Sequence, residues 1–217
     1  MTDRIKDIEL MKKSWSDRVP RSPEKTGESA VLIPLIYSED KSWEILFERR
    51  ALDLDVQPGD ICLPGGRVET GEEPLEAALR ETAEELLVPV SSIEMLGPAD
   101  KVLGPGQRII HPFAGIIEGY EGTFSKEEVH ETFSISVEWF RNNPPKAWQT
   151  SLENIPPEDF PYDLIYGGRN YKFRKRKHNM YFYENGERTV WGATAAIVRN
   201  FISMYEEIFG WGNNVNV

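Results

Sequence analysis

The sequence predicts one α/β sandwich built on a mixed sheet, and three observations carry that prediction. Two apolar strand-like runs, residues 30–37 and 43–49, flank a turn at Ser38 to Ser42. A strongly helical stretch follows at residues 74–87, and a second helical pattern closes the chain at 193–209. Between them lie further strand candidates at 93–96, 109–117 and 132–137, with no internal repeat. A short strand is also expected at 60–63, running into Pro64-Gly65-Gly66. Pro74 suits the first helical turn, because it has no N–H to leave unpaired and its φ is already helical. Leu75, Ala78, Leu79, Thr82 and Leu86 form the expected inward stripe of that helix, and Pro89 ends it. The segment 144–161 holds five prolines and is expected to be a loop. Asn185-Gly186 predicts a type I′ hairpin turn between strands at 179–184 and 187–191. Ile197, Phe201, Tyr205 and Ile208 share one face of the closing helix.

Ahead of this body, Ile5, Ile8, Met11 and Trp15 fall at helical spacing. They predict an amphipathic helix that docks on the domain or on a second subunit. The expected division is therefore an N-terminal helix and linker over 1–28, then one domain over 29–217. A length of 217 residues suits one embellished domain of ordinary size.

Composition excludes several function classes. Lys and Arg number 25 against 36 Asp and Glu, a net charge of −11. Nucleic-acid binding through a global basic face is not expected of such a chain. The longest apolar run, 30–37, is far short of the ~18–20 residues that span a bilayer and already contains Pro34. No signal peptide is visible at the N-terminus, and Cys62 is the only cysteine, so no intrachain disulfide or thiolate zinc cage can form. A soluble cytoplasmic protein without a membrane partner is the expectation.

The chemistry concentrates after the glycine turn. On a helix, Glu81, Glu84 and Glu85 sit at i, i+3 and i+4, so their carboxylates share one face. Like charges so placed repel one another, and a divalent cation is what would hold them together. Carboxylate oxygens suit Mg²⁺ or Mn²⁺. The frame is Gly66-x5-Glu72-x7-Arg80-Glu81-Thr82-x-Glu84-Glu85-x-Leu87-Val88. It resembles the Nudix box in register, with two departures. Thr82 stands for an aliphatic residue, and Leu87 for the glycine at the helix exit, where Pro89 is expected to end the helix instead.

Upstream, Arg50-Ala51, Gly59 and Pro64-Gly65-Gly66 resemble the coenzyme A pyrophosphatase branch of that family. Trp191-Gly192 before the last helix is similar to the same branch. Leu63 replaces its aromatic, and Asp55 stands where it usually carries a basic residue. The resemblance implies a Nudix-type α/β/α sandwich and a divalent-metal-dependent hydrolase of a nucleoside diphosphate linked to another group. Coenzyme A or its thioesters is the favoured substrate, giving 4′-phosphopantetheine and adenosine 3′,5′-bisphosphate. ADP-ribose, nucleotide sugars or dinucleotides are the alternative, and a non-catalytic Nudix-fold sensor is the second.

By that resemblance Glu81, Glu84, Glu85 and the Gly66 carbonyl hold Mg²⁺ or Mn²⁺. Arg80 pairs with Glu72 and pins the loop to the helix rather than touching substrate. The general base is open between a helical Glu and a Glu from a later loop, and within 125–131 Glu128 aligns best. Arg50 is a candidate substrate contact. So are Lys172 and Arg174, in a run with six bases within 169–177. That run is otherwise a solvated hairpin or a homodimer contact. His111, His130 and His178 are too scattered for a metal site, and Cys62 reads as buried filler.

Overall fold

Strand β1 (Glu28–Tyr37) organises the molecule, because its side chains are buried alternately on two faces. The structure, a computed structural model, describes residues 27–209. The amphipathic helix expected near the N-terminus lies outside the described residues.

Ala30 and Leu32 point to one side of β1, Ile33 and Leu35 to the other. Both faces are covered, so the strand is a nearly continuous apolar run. It pairs in parallel with β7 (Ile109–Ile117) and antiparallel with β2 (Trp43–Arg50) and β4 (Gly65–Arg67). The central order is β3-β2-β1-β7-β5, where β3 is Ile61–Cys62 and β5 is Ile93–Pro98. Strand β6 (Val102–Leu103) pairs with β7, and β8 (Val129–Ser136) pairs with β2. One parallel pair among antiparallel ones makes the sheet mixed, as expected.

Helix α1 (Pro74–Leu86) packs on β1 and β4. Leu86 joins Leu32, Leu46, Ile93 and Ile117 in one core, while Ala77 and Ala78 pack on Ala30. The inward stripe is rotated from the expected one. Leu75 is exposed and Ala77 is buried, so the buried set is Ala77, Ala78, Thr82, Glu85 and Leu86. That rotation carries a glutamate into the interior. On the opposite face a larger core joins Ile33, Phe47, Phe133 and Phe140 to Ile197, Val198 and Phe201. Phe140 lies on α2 (Val137–Asn142), a helix the sequence reading did not include, and Ser136 caps it by accepting from Trp139 N–H at 3.1 Å.

A second, three-stranded sheet runs β11-β10-β9, with β9 Lys146–Leu152, β10 Arg176–Asn185 and β11 Arg188–Trp191. Strand β9 corrects the expected proline loop. Pro144 and Pro145 precede the strand, and Pro156, Pro157 and Pro161 follow it, so none removes a ladder hydrogen bond. The hairpin turn is also shifted by one residue. Asn185 pairs with Arg188, leaving Gly186-Glu187 as the loop, with Gly186 at φ 59°. Glu187 is not at positive φ, and a positive φ at the first central position alone is the type II′ arrangement, since type I′ needs it at both. Helix α3 (Gly192–Ile208) then packs on β10 and β11, although Ile208 is exposed.

Candidate active site

Three elements converge at one end of the mixed sheet: the glycine turn, the inward edge of α1, and the end of β2. Gly65 has φ 146° and lies so close to β1 that an added Cβ would sit 2.3 Å from the Ala30 carbonyl oxygen. Only glycine fits that approach. A Cβ on Gly66 would meet the Glu81 carboxyl carbon at 2.3 Å, so this carboxylate lies directly against the turn. Gly65 N–H donates to Glu85 Oε2 at 2.7 Å, which ties the same turn to the next helical turn.

Arg80 clamps the outer side. Its Nε donates to Glu72 Oε1 at 2.9 Å and Nη2 to Glu72 Oε2 at 3.1 Å. The fork is bidentate, as planar guanidinium and carboxylate favour. Nη1 reaches Glu81 Oε1 at 2.9 Å and Glu84 Oε2 at 3.4 Å. Arg80 therefore grips the box loop and two of the helical acids together. The hydrogen bond that Arg80 donates lowers the Glu72 pKa and raises the Arg80 pKa.

An open cleft of about 810 Å³ lies over these groups, lined by Arg50, Leu54, Gly65 to Thr70, Glu81, Glu85 and Glu128. The structure thus brings together Gly66, Glu81, Glu85, Glu128 and Arg50 from the residues expected on sequence. Glu84 points outward with its side chain 60% exposed, beside Arg80 rather than in the cleft. Lys172 and Arg174 are exposed and do not line the cleft. Asp55 is exposed, and its neighbour Leu54 is the lining residue.

Glu128 is placed by backbone bonds. Ser125 N–H donates to the Glu85 carbonyl at 2.7 Å, and Ala51 N–H to the Glu128 carbonyl at 2.8 Å. Thr123 Oγ1 donates to the Leu86 carbonyl at 2.7 Å. The loop before β8 is thereby fastened to the end of α1. Arg50 stands at a register shift between Arg49 and Arg50 in the β2–β8 ladder. Such bulges re-aim side chains near sites.

Two carboxylates are buried here, and sequence reasoning missed one. Glu85 is 3% exposed and Glu48, on β2, is 1% exposed. Burial first, then the neighbouring Glu48 charge, pushes the Glu85 carboxyl well up. Burial raises Glu48 to about 7, opposed by the hydrogen bond from Cys62. Glu48 lies outside the box motif, and nothing local marks it, because the same strand also carries Glu44, Arg49 and Arg50. Cys62, expected to be filler, donates to Glu48 Oε1 at 3.2 Å.

Among the described residues no three His, Cys, Asp or Glu side chains already form a coordination sphere. Glu81 is engaged by Arg80, and Glu85 by Gly65 N–H. The donor set nonetheless fits a hard divalent ion: clustered carboxylates against a glycine turn whose Cβ-free surface admits them.

Residues 27–156 match the NUDIX domain family. The chain belongs to the Nudix family. Nudix hydrolases are pyrophosphohydrolases acting on small nucleoside diphosphate derivatives, and they generally use divalent cations. The Nudix hydrolase NudL of Shigella flexneri is 29% identical over 186 residues, 84% of each chain. NudL of an Enterobacter species is 30% identical over 176 residues, 79% of each chain. Nudix hydrolase 3 of Caenorhabditis elegans is 33% identical over 93 residues, but these span only 38% of the worm protein. A MutT/nudix family protein from Enterococcus faecalis superposes with TM-score 0.51 at 17% identity, over 92% of this chain and 69% of that one. That likeness is one of fold alone. No described helix of this Nudix chain is long and apolar enough to cross a membrane.

Proposed function

We propose that this Nudix hydrolase cleaves the pyrophosphate bond of coenzyme A or its thioesters, using Mg²⁺ or Mn²⁺. The observation that carries the reading is the cleft in which Glu81, Glu85, Gly66 and Glu128 face Arg50. The Arg50-Ala51 and Pro64-Gly65-Gly66 segments that resemble the coenzyme A branch line or border that cleft.

Glu81, Glu85 and the Gly66 carbonyl would hold the cation, with Glu84 at its outer edge. A bound divalent ion supplies charge neutralisation at the pyrophosphate and a lowered pKa for an attacking water. The remaining work belongs to the chain. Arg80 is a positioning residue, because it fixes Glu81 and pins Glu72 without reaching the cleft. Arg50 lies where it meets an anionic oxygen of the substrate. Glu128, exposed on a loop fastened to α1, would accept the proton of the attacking water.

ADP-ribose, nucleotide sugars and dinucleotides share the diphosphate, and Asp55 favours them by putting a negative charge where the coenzyme A branch usually has a positive one. A turnover screen with Mg²⁺ and with Mn²⁺ separates the readings. Coenzyme A hydrolysed faster than dephospho-coenzyme A and ADP-ribose supports the proposal. Equal hydrolysis of the two coenzymes, with ADP-ribose faster than either, rejects it and leaves the Nudix chemistry standing.

A further inference from the structure

Glu48 occupies a position that an apolar side chain would fill. It follows Leu46 on the face of β2 turned toward α1, and Leu46 packs on Leu32 and Leu86. Glu48 is 1% exposed, in a strand paired with β1, β3 and β8. Its Oε1 takes the Cys62 thiol, directly opposite in the β2–β3 register, while its buried Oε2 has no hydrogen-bond partner. An orphaned buried carboxylate oxygen is costly, since nothing replaces the water it gave up.

Its surroundings make the position stranger. The charges that act on it are Glu85, Glu81 and Glu128, against the single guanidinium of Arg50. Arg50 itself directs Nε to the Val56 carbonyl, at 3.4 Å. Three acids thus act on a fourth, and hydrogen bonding within the protein leaves Oε2 unanswered. A divalent cation among these carboxylates answers both the orphaned oxygen and the repulsion.

We propose that Glu48 is a further ligand of the divalent cation, contributing Oε2 alongside Glu85. Cys62 orients the carboxylate by holding Oε1. This rests on the metal-dependent reading of the cleft given above, so the test must separate the two. Mn²⁺ affinity is measured by titration calorimetry for wild type, Glu48→Gln and Glu85→Gln, with melting temperatures recorded in chelator. The expected result is at least tenfold weaker Mn²⁺ binding in Glu48→Gln, with a chelator melting temperature equal to or above wild type. An amide in place of a buried charge has no reason to loosen the metal-free fold.

Wild-type Mn²⁺ binding in Glu48→Gln, beside weakened binding in Glu85→Gln, would show that Glu48 is a protonated core group and overturn the inference alone. Wild-type binding in both variants would overturn the inference and the metal site together. Weaker binding with a lowered melting temperature in chelator would mark a structural role and also overturn it. Should Glu48→Gln not fold, Glu48→Leu, which continues the apolar pattern of Leu46, provides the same readouts.

Discussion

At the scale of single residues, the site is an arrangement of acids controlled by one arginine and by burial. Arg80 reaches Glu72, Glu81 and Glu84 at once, so it is more than an isolated surface pair, which would contribute only ~0–1 kcal/mol. Arg80→Ala is expected to lower turnover by roughly tenfold to a hundredfold, the loss of a charge-assisted hydrogen bond worth ~1.5–3 kcal/mol. Metal affinity should fall with it, because Glu81 loses its orientation. Arg80→Lys should not rescue either, since an ammonium cannot make the bidentate fork. Normal rate and normal metal titration in the alanine variant would make the clamp decorative. Glu48 gives a second expectation, with the sign set by burial. Its pKa is raised from the ordinary 4.5 to about 7, so the folded state holds a proton that the unfolded state releases between these values. The stability this confers is full below pH ~4.5 and is lost as pH rises through about 7. In chelator, wild type should therefore match Glu48→Gln near pH 4.5 and fall below it by several degrees near pH 7.5. A melting-temperature gap that does not change with pH would contradict this.

At the scale of elements, helix α1 shows both what the sequence exposes and what it hides. Its start is local chemistry: Pro74 at the first position, and Glu73 N–H bonded to Glu76 Oε2 at 3.1 Å. Its exit was expected to depend on Pro89, because Leu87 replaces glycine. The structure instead puts Leu87 itself in the left-handed conformation, at φ 53° and ψ 43°, and Pro89 follows in extended backbone. The glycine geometry is kept without the glycine, at a steric cost of ~1–2 kcal/mol. Leu87 is 58% exposed, so little packing offsets that cost. Leu87→Gly should stabilise the fold by about 0.5–1 kcal/mol once glycine's extra unfolded-state freedom is subtracted, a rise of roughly 1–4 °C in thermal melting. A fall would mean that the Leu87 side chain contributes more than its exposure indicates. The strands of the mixed sheet were legible because period-two burial and turn residues are local signals, as at Ser38 to Ser42, where Ser38 N–H bonds the Ser42 carbonyl at 3.0 Å. Strand β9 was not, because prolines close on either side of Lys146–Leu152 give a loop-like composition while leaving the strand itself free of proline. The rotated stripe of α1 was not either, since two alanines against Ala30 outweigh one leucine. Glu48 depends on the β2–β3 register and on where α1 lands, and no local pattern carries that information.

At the scale of the whole molecule, charge decides how a substrate arrives. The chain carries −11, and the cleft is lined by Arg50 and Arg67 against Glu69, Glu81, Glu85 and Glu128. Two cations against four acids repel a diphosphate unless a metal ion is present, which is a further physical reason for metal dependence. The basic run does not correct this, because Lys172 and Arg174 lie outside the cleft lining and Lys175 is paired with Glu153 at 2.7 Å. Long-range repulsion should therefore slow the encounter with an anionic substrate even when the metal site is saturated. The Debye length falls from ~30 Å at 0.01 M salt to ~8 Å at 0.15 M, enough to screen most of the protein's field. At saturating Mn²⁺, kcat/KM for coenzyme A should accordingly rise severalfold over that range. The slope should be steeper than for dephospho-coenzyme A, which lacks the 3′-phosphate and feels less repulsion. A kcat/KM that falls with salt, more for coenzyme A than for its dephosphorylated form, would show that cations close to the 3′-phosphate outweigh the field of the molecule. Lys172 and Arg174 would then return as candidates, reached by a substrate long enough to extend beyond the cleft.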